Sequence, residues 1–238
     1  MKSASLLLLI VAGIADAKAP PSRLSIDHII LWTNDLDKGV REFERRTGVK
    51  PEYGGSYAGR GIRNALVSLG PGRYLEIMAP EMDGYDDDNH TLPREPRKPP
   101  PPFRMTPWGW AIQTHSAAAL NGRLLRAGFS ANPVGSDYFQ PYGGKKTSWT
   151  SFQINEVNEF GNADGTLAYV VEWNRRAVHP SQKYPKGCQL RLLSIAKPRP
   201  TQVRRLIGQL GLQQVQIRRD VAAHLAFSLD CPKGRVNF

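Results

Sequence analysis

The sequence lacks the marks of several large function classes. It has two cysteines, Cys188 and Cys231, in 238 residues, and their spacing matches no zinc pattern. No G-x-S-x-G elbow occurs and neither cysteine sits in a catalytic context, which argues against nucleophilic hydrolysis. Gly143-Gly144-Lys145-Lys146 has neither the Walker spacing nor the following helix of a phosphate loop. Asp86-Asp87-Asp88 precedes no EF-hand spacing and reads as solvated loop. Past the leader, no apolar run approaches the roughly 20 residues that span a bilayer.

The leader occupies residues 1–17. Lys2 is followed by a short apolar core, Leu6 to Ile14, and Ala15-Asp16-Ala17 reads as a cleavage site, the pattern of a signal peptide. The expected location is therefore the periplasm or the exterior, where a Cys188–Cys231 bridge is possible. The remainder suits one large domain or two small ones. The net charge is +11, but the basic residues are scattered and accompany no zinc-finger or helix-turn-helix pattern. The charge reads as a solvated surface, with weak attraction to an anionic partner as the alternative. Nucleic acid is not an expected partner, nor is membrane once the leader is removed.

Three segments share one plan: an apolar strand, a polar joint, an amphipathic helix, then glycine and an apolar residue. The first runs Ile26 to Thr33, Leu36 to Arg46 and Gly48-Val49, with Leu36, Val40 and Phe43 on one helical face. The second runs Trp110 to Thr114, a Ser116 cap, then Leu120 and Leu124 to Gly128-Phe129. The third runs Leu190 to Ile195, a Thr201 cap, then Val203, Leu206 and Leu210 to Gly211-Leu212. Glycines 48, 128 and 211 fall at the helix C′ position, where a left-handed backbone favours glycine. Their near-constant spacing predicts a duplicated unit. Each unit closes on further strands, so each reads β-α-β-β-β. The predicted organisation is a first module over residues 18–80, a Pro-rich connector over 81–105, a second module over 106–184 and a third, degenerate module over 185–238.

This plan resembles the vicinal oxygen chelate superfamily of glyoxalases, bleomycin-resistance proteins and extradiol dioxygenases. Gly54-Gly55 with Gly59, Gly61 and Asn64, then Tyr74-Leu75-Glu76 and Ala79-Pro80, is similar to a glyoxalase-like branch, as are Val171-Glu172-Trp173 and His179-Pro180. The resemblance implies an α+β fold in which tandem βαβββ modules form a half-open mixed β-barrel, with a third C-terminal module of the same plan. It also implies one divalent metal ion, held by a residue from the first and the fourth strand of each module. His28 and Glu76 match one such pair and Glu172 half of the other; the fourth position falls on Gly109, with His115 or His179 as substitutes. Alternation places His28 and Glu76 on the face away from the helix, while Glu172 shares a face with Val170, opposite Val171 and Trp173.

The implied activity is that of a metal-dependent lyase or isomerase acting on a small oxygenated molecule, with Glu172 as base. Tyr57, Arg63, Asn64, Trp110 and His179 are the expected substrate contacts. The alternatives are a metal-free binding or sequestering protein on the same scaffold and, third, an extradiol-type dioxygenase. The expected partners are a small-molecule substrate or ligand and a second copy of the chain, as a homodimer. In a third module ordered 1-4-3-2, Cys188 and Cys231 lie two strands apart, about 9.6 Å. That exceeds the roughly 7 Å limit for a disulfide unless the Cys231 turn folds across the sheet end.

Overall fold

A computed structural model describes residues 24–57, 61–81, 102–141, 146–155 and 165–238. The leader and most of the connector, His90 and the aspartate run included, lie outside them. The first module comprises β1 (Ser25–Thr33), α1 (Leu36–Thr47), β2 (Glu52–Tyr57), β3 (Ile62–Ser68) and β4 (Tyr74–Pro80). Asp35 starts α1 by accepting the Lys38 amide, and Gly48 ends it at φ 80°. The stripe Leu36, Val40 and Phe43 is buried as its spacing predicts, against Ile29, Leu31, Leu75 and Ile77 of the sheet.

The second module repeats the order with one added short strand: β5 (Met105–Gln113), α2 (Ala117–Arg126), β6 (Ser130–Ala131), β7 (Gly135–Pro141), β8 (Thr147–Asn155) and β9 (Tyr169–Trp173). Ser116 caps α2 through the Ala119 amide. A four-residue helix, α3 (Pro180–Lys183), follows.

These strands form one curled sheet, ordered β6-β8-β7-β2-β3-β4-β1-β5-β9, in which β8 also pairs with β9. Within each module the first strand lies parallel to the last, β1 with β4 and β5 with β9. Among the described residues the joint between β2 and β7 is short, Gly55↔Pro141 and Ser56↔Gln140. α1 and α2 pack on the outer surface of the curled sheet, and a cavity fills its inside, bordered by Pro180 and Lys183 of α3.

The C-terminal unit keeps the predicted element order in β10 (Gln189–Lys197), α4 (Thr201–Leu210), β11 (Val215–Arg219), β12 (His224–Cys231) and β13 (Gly234–Asn237). Thr201 is the first helical residue, and Pro200 stands at the cap position with no side-chain bond. Gly128 and Gly211 adopt φ 76° and 68°, as the repeat predicts. The strand pairing departs from the other modules, because the separate sheet is ordered β11-β10-β12-β13. β10 therefore touches β12 directly, with Gln189 opposite Asp230. Cys188 and Cys231 fall side by side rather than two strands apart, and they form a disulfide with Cα atoms 4.2 Å apart. The unit clasps the first module from outside: Phe238 stacks on Phe43 at 5.7 Å, and the Lys233 amide donates to the Thr47 carbonyl.

Candidate functional site

The inside of the barrel is a cavity of about 810 Å³, with His28, Tyr57, Asn64, Tyr74 and Glu76 on the first module's wall. Trp108, Trp149, Tyr169, Val171 and Trp173 line the second module's wall.

The β1 side of the site depends on an irregularity. Ile26 pairs with Ile112 and His28 with Ala111, so Asp27 is an extra residue on β1. Such a bulge re-aims the local side chains. Asp27, 0% exposed, uses both carboxylate oxygens. Oδ1 meets His28 Nδ1 at 2.7 Å, while Oδ2 meets the Trp173 indole Nε1 at 2.9 Å and His179 Nε2 at 3.1 Å. Burial alone would raise the Asp27 pKa. The hydrogen bonds from His179 and His28, with the charge these rings carry when protonated, outweigh it and hold the carboxyl below its ordinary value.

This network fixes the ring protons. His179 caps α3, and its Nδ1 accepts the Ser181 amide, so a neutral His179 carries its proton on Nε2 and donates it to Asp27. An ionised Asp27 accepts only, so His28 donates from Nδ1. The neutral His28 ring then has a bare Nε2, which no described residue bonds. Sequence reasoning missed Asp27; the signal was an acidic residue set in the apolar run of β1.

On β4, Glu76 is 2% exposed and stands opposite Ile30, two positions along from the His28–Tyr74 pair. Its Oε1 accepts the Tyr57 hydroxyl at 2.7 Å and the Asn64 amide at 2.5 Å. Asn64 is oriented in turn by the Gly55 amide, which donates to its Oδ1 at 3.1 Å. Gly54 permits this approach: a Cβ there would lie 2.2 Å from Leu66 Cδ1 and 2.4 Å from Asn64 Oδ1. The Tyr74 ring sits 4.6 Å from the His28 ring. Burial, reinforced by the charges of Asp27 and Glu76, pushes its hydroxyl well above the usual tyrosine value, so it stays protonated.

The sequence profile of the glyoxalase-like domain matches residues 26–211. The chain belongs to the glyoxalase-like domain family. Its module pairing is that of the vicinal oxygen chelate superfamily. A hypothetical protein from Staphylococcus aureus has the same fold, with 12% identity over 90% of this chain and 98% of that one and a TM-score of 0.62. Methylmalonyl-CoA epimerase from Mycobacterium tuberculosis is 18% identical over 63% of this chain and 89% of its own, with a TM-score of 0.44. No curated protein matches the sequence.

In this glyoxalase-like chain the expected site residues divide. His28, Tyr57, Asn64 and Glu76 gather on one cavity wall. His179 stands behind them, joined through Asp27. Three expectations need correction. Glu172 stands two positions along β9 from Val170, which is buried in the core, and so turns to the helix side. There its Oε2 accepts the Ala117 amide at 2.8 Å, at the start of α2, and it borders a second cavity of about 890 Å³ with His115 and His179. Trp110 is 0% exposed within the main core and donates to the Thr166 carbonyl. The register shift beside Gly109 leaves Trp108 on the cavity wall in its place. Arg63 alternates with Ile62 and Asn64, which line the cavity, and so lies on the opposite face of β3; its charge acts on the Tyr53 hydroxyl.

The metal expectation is tested by this donor geometry. The first module presents His28 and Glu76, but the second presents Tyr169, Val171 and Trp173 where matching donors would stand. Among the described residues no three His, Cys, Asp or Glu side chains gather as a metal set. The expected set of His28, Glu76 and Glu172 therefore does not fit one ion, because Glu172 serves the α2 N-terminus.

Proposed function

We propose that this glyoxalase-like protein is an isomerase or lyase that moves a proton next to a carbonyl group, with His28 as general base. The observation that carries the reading is the buried Asp27, which holds the His28 Nδ1 proton at 2.7 Å in a ring that lines the cavity. A carboxylate in that position fixes the tautomer and stabilises the imidazolium formed when Nε2 takes a proton. The proton taken by His28 Nε2 can return from it to the neighbouring carbon, while Glu76, with the Tyr57 and Asn64 donors on Oε1, lies on the same wall and can hold a substrate hydroxyl by accepting its hydrogen bond. The base role thus passes from Glu172 to His28.

The cavity volume lies within the range that suits a drug-sized ligand. The Trp149 and Trp173 rings, 5.6 Å apart, supply flat apolar surface on its wall. The substrate class this supports is a partly unsaturated oxygenated molecule larger than a triose. The same aromatic surface favours a second reading, a sequestering protein that binds such molecules without converting them.

The test is proton exchange. Candidate hydroxy ketones and 1,3-diketones in deuterated buffer, followed by NMR, should lose their carbon-bound hydrogen next to the carbonyl when the protein is added. His28→Asn should slow this by about 10²- to 10⁴-fold. Tight binding with no exchange for any candidate would establish the sequestering reading instead.

A further inference from the structure

The charge of the chain is unevenly placed. Residues 185–238 hold ten of the 32 lysines and arginines and two of the 21 acidic residues. This quarter of the chain therefore carries +8 of the net +11. Much of that charge gathers at one end of the C-terminal sheet. β10 and β11 are parallel, with Lys197 opposite Arg219, so their C-terminal ends lie together. Arg199 follows β10 and Arg204 lies in the first turns of α4, which begins at that end. Arg199, Arg204, Arg218 and Arg219 are all exposed. Asp220 is the acidic residue there, and its Oδ1 accepts the Val221 amide. At the tip beside it Val221 is 95% exposed, and Ala222 is exposed too.

We propose that this end of the C-terminal unit attaches the protein to an anionic lipid bilayer, the arginines meeting phosphate headgroups and Val221 entering the headgroup layer. Arginine suits phosphate because its planar fork donates two parallel bonds. An apolar tip among cations gains from a bilayer interface and not from a hydrophilic polyanion, and surface attachment characteristically combines two such signals. Single-stranded nucleic acid fits less well: the unit has no Trp or Tyr, and its phenylalanines are Phe227, buried, and Phe238, half-buried, which leaves the His224 imidazole beside Arg218 and no broad stacking platform. Attachment here is peripheral, since among the described residues no helix is long and apolar enough to cross a membrane.

Sedimentation of the full chain with phosphatidylcholine vesicles, with and without phosphatidylglycerol, tests this. Wild type should bind the anionic vesicles, less so in high salt, and the neutral ones far more weakly. Each arginine near an anionic surface changes partition by about fivefold, so Arg218→Gln with Arg219→Gln should lower binding on the order of 30-fold. Val221→Asp should lower it as well. Arg123→Gln with Arg126→Gln removes equal charge from exposed positions on α2 and should leave binding within about twofold. All variants share one N-terminal segment, so their differences report the C-terminal unit. Equal loss in both arginine pairs overturns the proposal, as does wild type that binds duplex DNA but not anionic vesicles.

Discussion

Replacing Asp27 with asparagine keeps the shape of the buried group and removes its charge. The carboxylate accepts from His28, Trp173 and His179 at 2.7, 2.9 and 3.1 Å. An asparagine oxygen can still accept from Trp173 and His179, but its amide then faces His28 Nδ1 with a proton. The His28 ring must turn or move its proton to Nε2, which destroys the base. Hydrogen bonds to charged groups contribute about 1.5–3 kcal/mol each against about 1 for neutral ones, so three weakened or lost bonds amount to several kcal/mol. Relief of carboxylate burial offsets part, leaving a net loss on the order of 2 kcal/mol near neutral pH. The folded-state pKa of Asp27 is depressed, so its contribution is present above the unfolded value, about 3.9. It fades as pH falls through the lower folded value. Urea unfolding of wild type and Asp27→Asn should show a stability gap at pH 7 that narrows below about pH 4. A gap that persists unchanged at the lowest pH where wild type stays folded, or a variant with wild-type exchange activity, would refute the reasoning.

Glu172→Gln should cost about 1 kcal/mol by weakening the bond to the α2 N-terminus, seen in thermal unfolding, with exchange activity intact; a large activity loss would restore Glu172 to the site. Gly54→Ala should displace Asn64 or Leu66 and so loosen Glu76, giving a fall in turnover accompanied by a change in the side-chain amide signals of Asn64 in NMR spectra. Reducing the Cys188–Cys231 bridge should lower stability by about 4 kcal/mol on loop-closure grounds, measurable as a drop in the urea midpoint with the reductant as the only variable.

The legible part of the fold was its periodic part. The stripe of α1 and the alternation of β1 and β4 follow from local spacing, and they place His28 and Glu76 on the cavity face without further information. Bulges broke the remainder. The extra residue at Asp27 and the shift beside Gly109 are backbone irregularities that strict alternation cannot register, so Asp27 went unnoticed and Trp110 was set on a wall that Trp108 occupies. Glu172 is different, because its shared face with Val170 was legible and pointed to the core, whereas the match between repeats pointed to the cavity. The alternation was the physical constraint, and it prevailed. The order of the C-terminal sheet was not readable, since pairing β10 with β12 or with β13 leaves the same local pattern of apolar residues.

The most direct test of the account is the fate of the carbon-bound hydrogen next to a carbonyl in a ligand that the cavity holds. With wild type, deuterium should enter that position, and His28→Asn should slow the exchange by about 10²- to 10⁴-fold while ligand binding persists. A ligand bound equally by both proteins, with no exchange in either, would contradict the claim that Asp27 and His28 form a catalytic base.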